Sequence, residues 1–362
     1  KHEGKYKFWG GLVVTPVGGG VGLVEAEFKA AEEMGVEFRY HARAMSLIHG
    51  PKGVTGLRVV ANRVEEDIPA KAVVLACGGF EANREWRTRY LGQGWDLAKV
   101  RGTRYNTGDG IRMAIEAGAV AHGNWSGAHA VGWDIDAADF GDRTGEGPIN
   151  HGKHSYPLGV MINARGERFV DEGADIRNFT YAKYGQLVLK QPGQFCWQIF
   201  DSKVTRMLRE TYRIRHVRKV TANTLEELVT KLDGVDPAGA LKTLKEFNAA
   251  ANSDQPFDPN VLDGRKTTGL AIPKSNWALP FDKAPFEAYG VTCGVTFTFG
   301  GVKIKPTTEV VDTDDQPIPG LYAAGEMVGG IFYFNYPGGS GLMNGGVFGK
   351  IAGANAAQFA KA

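Results

Sequence analysis

Ile318-Pro-Gly-Leu-Tyr-Ala-Ala-Gly-Glu326 is the stretch whose reading decides the fold. A short apolar run ending in Ala-Gly-Glu reads as a buried strand with one carboxylate at its carboxyl end. Open α/β sheets bind their ligands just beyond that edge. A carboxylate at Gly325-Glu326 is suited to accept hydrogen bonds from the hydroxyls of a sugar or polyol chain. Downstream, Pro337-Gly-Gly-Ser-Gly-Leu342 opens a last helix expected over residues 341–360. Its backbone amides and positive dipole end suit negative charge on a flat ring. An ordinary strand–loop–helix remains the alternative for either segment alone.

Working outward, Lys71-Ala-Val-Val-Leu-Ala-Cys-Gly-Gly-Phe80 reads as a central buried strand ended by two glycines. Gly18-Gly-Gly-Val-Gly22 reads as a turn, followed by a helix with Val24, Phe28 and Ala31 on one face. A strand is expected at Val36–Tyr40, and a hairpin from Val54–Val60 and Arg63–Ile68 after the break at Gly50-Pro-Lys-Gly53. Thr107–Gly118 predicts a helix opened by Gly-Asp-Gly and closed by Gly118. Gly300–Lys305 reads as a further strand. In the last helix Met343, Val347, Ile351 and Ala354 fall at helical spacing. Gly345, Gly346, Gly349 and Gly353 are expected to let it lie close to its neighbours.

Between residues 126 and 284 the texture changes, with Trp, His, Asp and Pro more common. Helices are expected at 224–232 and 238–251, the first opened by a capping box, Thr224 with Glu227. The expected organisation is therefore an α/β domain from residues 1–125 and 285–362, interrupted by an α+β domain at 126–284.

Composition removes other classes. The 362 residues carry 42 basic and 40 acidic side chains, a formal charge of +2, which gives no reason to expect nucleic acid as a partner. No run approaches the ~20 apolar residues that span a bilayer. Cys77, Cys196 and Cys293 lie far apart, in no disulfide or metal-ligand pattern, so no metal is expected. No signal segment follows the opening Lys1-His2-Glu3, and a cytoplasmic protein is expected. The fifty glycines are about twice the usual ~7% and cluster beside apolar runs, as backbone packed against a large ligand requires. Gly20-x-Gly22 lacks the third glycine of a dinucleotide fingerprint, because Glu25 stands there. It reads either as a phosphate cradle or as a close-packing helix start.

Ala72–Phe80, Thr107-Gly-Asp-Gly110, Val160–Glu172, Ile318–Glu326 and Gly329–Gly341 together resemble the succinate dehydrogenase/fumarate reductase flavoprotein family. The tricarballylate dehydrogenase branch is the most similar. The resemblance implies a Rossmann-like, three-layer FAD-binding domain with an inserted α+β capping domain. It also implies FAD as cofactor and interconversion of a C–C single and double bond in a small polycarboxylate. A membrane-bound electron-transfer protein would reoxidise the flavin.

By the same resemblance Gly78, Gly79, Asp109, Gly325, Glu326, Gly339, Ser340, Gly341 and Leu342 match cofactor-binding positions. Arg177 matches the residue that moves the proton, and His129 a histidine on a substrate carboxylate, or else a satisfied histidine of the cap. Thr296 and Phe297 stand where fumarate-reducing members place a histidine, and Tyr336 where they place an arginine. Two charge-assisted contacts, each about 1.5–3 kcal/mol, are thereby lost, which argues against plain fumarate or succinate. Tyr336 either holds a carboxylate, acts as a base as in the similar 3-ketosteroid dehydrogenases, or stacks on the ring. An enone substrate is thus the alternative. The resemblance further implies that roughly the first hundred residues of such a domain, with the fingerprint, are not in this sequence. A non-catalytic fragment is the third reading.

Overall fold

The computed structural model describes residues 16–141 and 150–362; the opening Lys1-His2-Glu3 and residues 11–15 lie outside them. Gly18 (φ 77°) and Gly19 (φ 63°) turn the chain into helix α1 (Gly19–Glu33). The helix begins inside the glycine run rather than after it. A Cβ on Gly22 would meet the Val17 carbonyl at 2.0 Å, so this glycine serves close packing at the helix start. No strand forms at Val36–Tyr40, contrary to the alternation there. Among the described residues no strand pairs there, and Phe38 and Tyr40 instead gather against Phe28, with ring centroids 4.6 and 6.5 Å away.

Strands β1 (Ala42–Gly50), β2 (Gly53–Ala61) and β3 (Val64–Pro69) form an antiparallel sheet in that order, and the expected hairpin is its second half. β4 (Val73–Leu75) is shorter than expected. Among the described residues it is an edge strand, parallel to one neighbour, with Val74 exposed. The chain then runs through α2 (Arg84–Trp86), β5 (Lys99–Val100) and α3 (Asp109–Glu116), which starts at left-handed Gly108 (φ 81°).

The inserted region is organised by β6 (Ala121–Asp134), a strand the sequence did not reveal. After it come β7 (Val160–Ile162), α4 (Tyr181–Leu189), β8 (Cys196–Phe200), α5 (Ser202–Thr205), β9 (Lys219–Ala222), α6 (Leu225–Thr230) and α7 (Pro237–Ala250). Thr224 Oγ1 accepts the Glu227 amide and the Glu227 carboxylate accepts the Asn223 amide, so the capping box closes. β10 (Phe286–Val302) runs through the whole region and pairs with β5, β6, β8 and β9. On one face of this sheet α6 and α7 bury Leu228, Leu244 and Phe247 against Ile162, Trp197 and Ala288. On the other, α4 buries Tyr184 and Val188 against Val131 and Val291.

The chain closes with β11 (Glu309–Val311), β12 (Pro317–Ala323) and α8 (Ser340–Lys361). β12 pairs in parallel with β4 and antiparallel with β11. Ala352 and Ala356 of α8 pack on Tyr322 and Ala324, while Leu47, Val54 and Ile111 cover the other face of β12. A helix, a sheet and a mixed layer thus lie one on another. The glycines of α8 do not serve close approach as expected. A Cβ at Gly345, Gly346, Gly349 or Gly353 would meet nothing within 4 Å, and Met343 and Val347 are 60% and 55% exposed. The buried side of α8 is Asn344, Ala352 and Ala356, rotated away from the expected apolar row.

Gly185 of α4 does require close approach, since its Cβ would lie 2.4 Å from the main chain at Ala130 and Val131. Gly185→Ala is expected to destabilise the protein by about 1–3 kcal/mol. Gly345→Ala is expected to be neutral or to stabilise by up to about 1 kcal/mol. Urea unfolding midpoints of the two variants test the contrast.

Candidate active site

Two buried regions meet beside the β6–β10 ladder. The first lies where β12 ends. Gly325 (φ 80°) turns the chain, and Glu326 directs its carboxylate back onto β10. The Thr298 amide donates to Glu326 Oε1 at 2.7 Å, and Thr298 Oγ1 accepts from the Phe80 amide at 3.2 Å. Gly79 sits directly over this junction. A Cβ there would meet Thr298 Oγ1 at 2.2 Å and Glu326 Oε1 at 2.3 Å. Gly78 (φ 74°) makes the preceding turn against Asn106, which donates to Glu81 Oε1 at 2.5 Å.

Glu81 and Glu326 are therefore two buried carboxyls in one neighbourhood. Burial, together with the nearby Glu81 carboxyl, pushes Glu326 well above the usual carboxylate range. Burial pushes Glu81 up as well. Two adjacent carboxyls in low dielectric do not both ionise readily, so the pair retains a proton.

The second region surrounds His129. Its β6 position lies opposite Phe297 of β10 in the ladder register. The imidazole stacks on the Tyr336 ring, with centroids 4.4 Å apart and planes 5° apart, and meets Tyr181 edge-on at 5.0 Å. It is buried, and neither ring nitrogen has a hydrogen-bond partner. Burial, reinforced by Arg101, holds its pKa well below 6.5, so the ring is neutral. Tyr336 Oη accepts the Gly341 amide at 2.9 Å, and a Cβ on Gly341 would meet that oxygen at 2.5 Å. Thr296 Oγ1 is buried without a partner, while Phe297 packs edge-on to Phe332 at 5.4 Å.

Arg177 opens a short turn ahead of α4 and places its guanidinium over the Tyr181 ring at 5.1 Å. The loop after Tyr336 docks on the same turn. Asn335 Nδ2 donates to the Phe179 carbonyl at 2.8 Å, and Gly338 faces Asn178. Between them is a cavity of about 170 Å³, lined by Arg101, Arg177, Arg209, His154, Tyr181 and Gly339 among others. Burial lowers the pKa of Arg177, and Arg209 and Arg101 lower it further.

Of the residues expected from sequence, Arg177, His129, Tyr336, Thr296, Phe297, Gly339 and Gly341 gather around this second region. Gly78, Gly79, Gly325 and Glu326 gather at the first. Ser340 and Leu342 lie at the start of α8, with Ser340 Oγ donating to the Pro337 carbonyl at 2.5 Å and Leu342 exposed. Asp109 adjoins the first region through Gly108, whose amide donates to the Gly79 carbonyl at 3.0 Å. It pairs with Arg43 at 2.9 Å and lines a separate cleft of about 810 Å³ with Tyr40, His41 and Tyr105.

Sequence reasoning missed Arg101, Arg209, His154 and Glu81. The arginine-rich run Arg206–Arg218 was a visible signal for Arg209, but nothing in it marks which member turns inward. Among the described residues no three His, Cys, Asp or Glu side chains are placed to hold a metal, and no helix is long and apolar enough to cross a membrane.

A sheet whose parallel strands end in glycine turns, interrupted by a second unit that covers those ends, defines a nucleotide-cofactor fold. The chain belongs to the FAD binding domain family, which matches residues 5–342, within the succinate dehydrogenase/fumarate reductase flavoprotein superfamily. Its fold is accordingly a Rossmann-like FAD-binding domain with an inserted capping domain. A probable fumarate reductase, Ifc3, of Shewanella frigidimarina (strain NCIMB 400) is 32% identical over 93% of this chain and 53% of its own length. The open conformation of a flavocytochrome c3 fumarate reductase superposes with a TM-score of 0.73 at 29% identity, over 96% of this chain and 57% of that one. The 3-ketosteroid Δ1-dehydrogenase of Sterolibacterium denitrificans gives 0.68 at 26% identity, over 92% of this chain and 61% of that one. The chain spans about half the length of the curated relatives it matches.

The carboxyl pair generates a pH prediction. In the unfolded chain Glu326 titrates near its ordinary 4.5, whereas in the folded chain it keeps its proton to higher pH. The folded state then binds more protons than the unfolded one, so stability falls as pH rises above about 4.5 through the raised pKa. Glu326→Gln is expected to flatten that decline. Urea midpoints measured from pH 4.5 to neutrality compare the two proteins.

Proposed function

We propose that this chain binds FAD and that the protein interconverts a C–C single and double bond in a small polycarboxylate, of the tricarballylate to cis-aconitate type. The observation that carries this reading is His129. A buried, neutral imidazole with both nitrogens unpaired is held in a stack by Tyr336, on the turn that leads into Gly339–Leu342. Arg177 also packs on the Tyr181 ring that His129 meets. Buried polar atoms without partners are costly unless a ligand supplies them.

The residues present fit a flavin. Gly79 leaves main chain bare above the Glu326 carboxyl, where a side chain would collide. Leu342, Met343 and Val347 at the start of α8 and Val74 of β4 are exposed apolar side chains of the kind a large ring system covers. Glu326, with Gly78, Gly79 and Gly325, would hold the ribityl side, and Gly339, Ser340, Gly341 and Leu342 the pyrimidine edge. Asp109 would contact the cofactor from the separate cleft. When bound, FAD supplies the hydride acceptor or donor.

The remaining work belongs to the side chains. His129 donates one N–H to a substrate carboxylate, and its neutrality leaves the other nitrogen free to accept. The Tyr336 hydroxyl already accepts from Gly341, so its own proton is available to a substrate oxygen. Arg177 moves the proton at the carbon next to the hydride position. Its lowered pKa eases release of a proton that an exposed arginine keeps. Thr296 Oγ1 offers a further hydroxyl. A separate, membrane-bound electron-transfer protein would take the electrons on.

One observation favours a second reading, an enone substrate. Phe297, Phe332 and Tyr336 form an aromatic wall with centroid separations of 4.8–5.6 Å, suited to an apolar ring.

A first check is the visible absorbance of the protein with added FAD, where a band near ~450 nm is expected. Flavin reduction by tricarballylate, succinate and a cyclic enone, with an artificial electron acceptor, then separates the readings. Arg177→Lys is expected to lower turnover at least 100-fold, the usual weight of a positioned proton-transfer group, with flavin content unchanged. Unchanged turnover removes Arg177 from the mechanism.

A further inference from the structure

Elsewhere in this fold some buried cations are met by carboxylates, while Arg87 and Lys274 are met by main-chain carbonyls. Lys153 Nζ lies 3.2 Å from Asp134, both fully buried, and Arg168 pairs with Glu172 at 2.5 Å. The cavity beside Tyr181 gathers three guanidiniums. Arg101 follows β5, Arg209 follows α5, and both line it together with Arg177. Among the described residues no carboxylate lies within ion-pair distance of Arg101 or Arg209. Arg101 lies over the Trp133 ring at 5.9 Å, and besides burial the Tyr181 and Tyr336 hydroxyls and the Arg209 cation act on it.

Like charges gathered in a desolvated space repel one another and pay the loss of hydration as well. An anion relieves both costs. His154 adds to the argument. It is buried at the cavity wall, its Nδ1 has no partner, and burial with the surrounding arginines holds it neutral. It thus offers a neutral hydrogen-bonding edge without adding a further cation. The planar forks of two guanidiniums match a carboxylate in a way that a lysine pair would not.

Size narrows the ligand. About 170 Å³ is several times the ~30 Å³ share of one water. It has room for a carboxylate on a short carbon arm. Gly339 lines the same cavity, and Arg101 also acts on His129 and Tyr336, so an arm reaching the cavity stays within one small molecule of His129.

We propose that Arg101 and Arg209 form a carboxylate clamp, separate from the His129–Tyr336 contact, that selects substrates carrying at least two carboxylates. The clamp deepens the polycarboxylate reading and rests on it for the reaction, but its anion binding stands independently. It also accounts for the loss of charge at Phe297 and Tyr336. The cations that would hold the distal carboxylate follow β5 and α5 instead of standing on β10 and the α8 turn.

Calorimetric titration of the flavin-loaded protein tests this, with tricarballylate, its trimethyl ester and inorganic phosphate as probes. Tricarballylate is expected to bind, the ester not to bind, and phosphate to bind far more weakly. Arg101→Met and Arg209→Met are each expected to weaken tricarballylate about 10- to 100-fold, the range of one charge-assisted contact. Arg209→Lys should recover only part of that loss. In turnover, KM should rise much more than kcat falls.

A thermal melt guards against misfolding. Without ligand the Met variants should melt no lower than wild type, because a repulsive charge has been removed, and tricarballylate should raise the wild-type midpoint more than theirs. Unchanged tricarballylate affinity in both variants overturns the clamp, as does phosphate binding as tight as tricarballylate, which would mark a general anion sink. Charge-dependent binding lost in the variants, with no flavin reduction by any polycarboxylate, would leave the clamp standing and remove the dehydrogenase reading. Flavin reduction by tricarballylate with unchanged KM in the variants would do the reverse.

Discussion

The antiparallel ladder between β6 and β10 is the constraint on which the rest of the molecule depends. β10 is 17 residues long and pairs with strands of the inserted unit at its start and with β6 to its end. Past that end, Val302 bridges to Val328, just after the Glu326 turn. A single strand therefore connects the core of the cap with the sheet edge that carries the carboxyl pair. Its register also sets His129 against Phe297 and Thr298 against Ala128. A slip of one residue would exchange inward and outward side chains along the whole strand. The site would lose its histidine and its carboxylate anchor together.

The charges that this ladder separates are of opposite sign. On one side lie the carboxyls of Glu81 and Glu326, and on the other the guanidiniums of Arg101, Arg177 and Arg209. Glu81 is buried and the other four residues are half-buried, and no ion pair joins the two sets among the described residues. Tyr336 lies between and registers both, since Arg101 favours its ionised form and Glu326 opposes it. Substrate and cofactor chemistry both need such an arrangement. A cation exposed to the substrate is useful only if the protein's own carboxylates cannot reach it.

Legibility of the sequence followed the range of the signal. The Ala-Gly-Glu turn, the Gly-Asp-Gly helix start and the Thr224 capping box are written in a few adjacent residues, and each folds as read. The long ladder was not legible. β6 contains Gly123, Asn124, Gly127 and Gly132 and few β-branched residues, whereas β10 has the β-branched and aromatic residues of a strand but is broken up by Gly290, Gly294, Gly300 and Gly301. Val36–Tyr40 shows the converse, a good local alternation with no partner to pair with. The apolar row of α8 was visible, but burial depends on what lies opposite, and nothing local reports that. For the same reason the family-matched positions His129, Arg177 and Tyr336 could be named from motifs, while Arg101 and Arg209 could not. Arg101 lies in an unremarkable loop and Arg209 in an arginine-rich run that marks no one member, and only the fold turns each inward.

The ladder is interrupted twice, between Val295 and Phe297 and between Thr298 and Gly300. A bulge twists its strand and relaxes the ladder locally. The cap and the flavin-binding layers share continuous strands instead of being joined by slack linkers, so rotation of one against the other concentrates its flexure at these two points. Thr296 and Phe297 sit at one of them, and Thr298, which holds Glu326, begins the other. Closure over a ligand would thus turn the residues that line the substrate space and tug the cofactor-side carboxyl in a single movement. Mechanical coupling between the two halves is built into the strand itself.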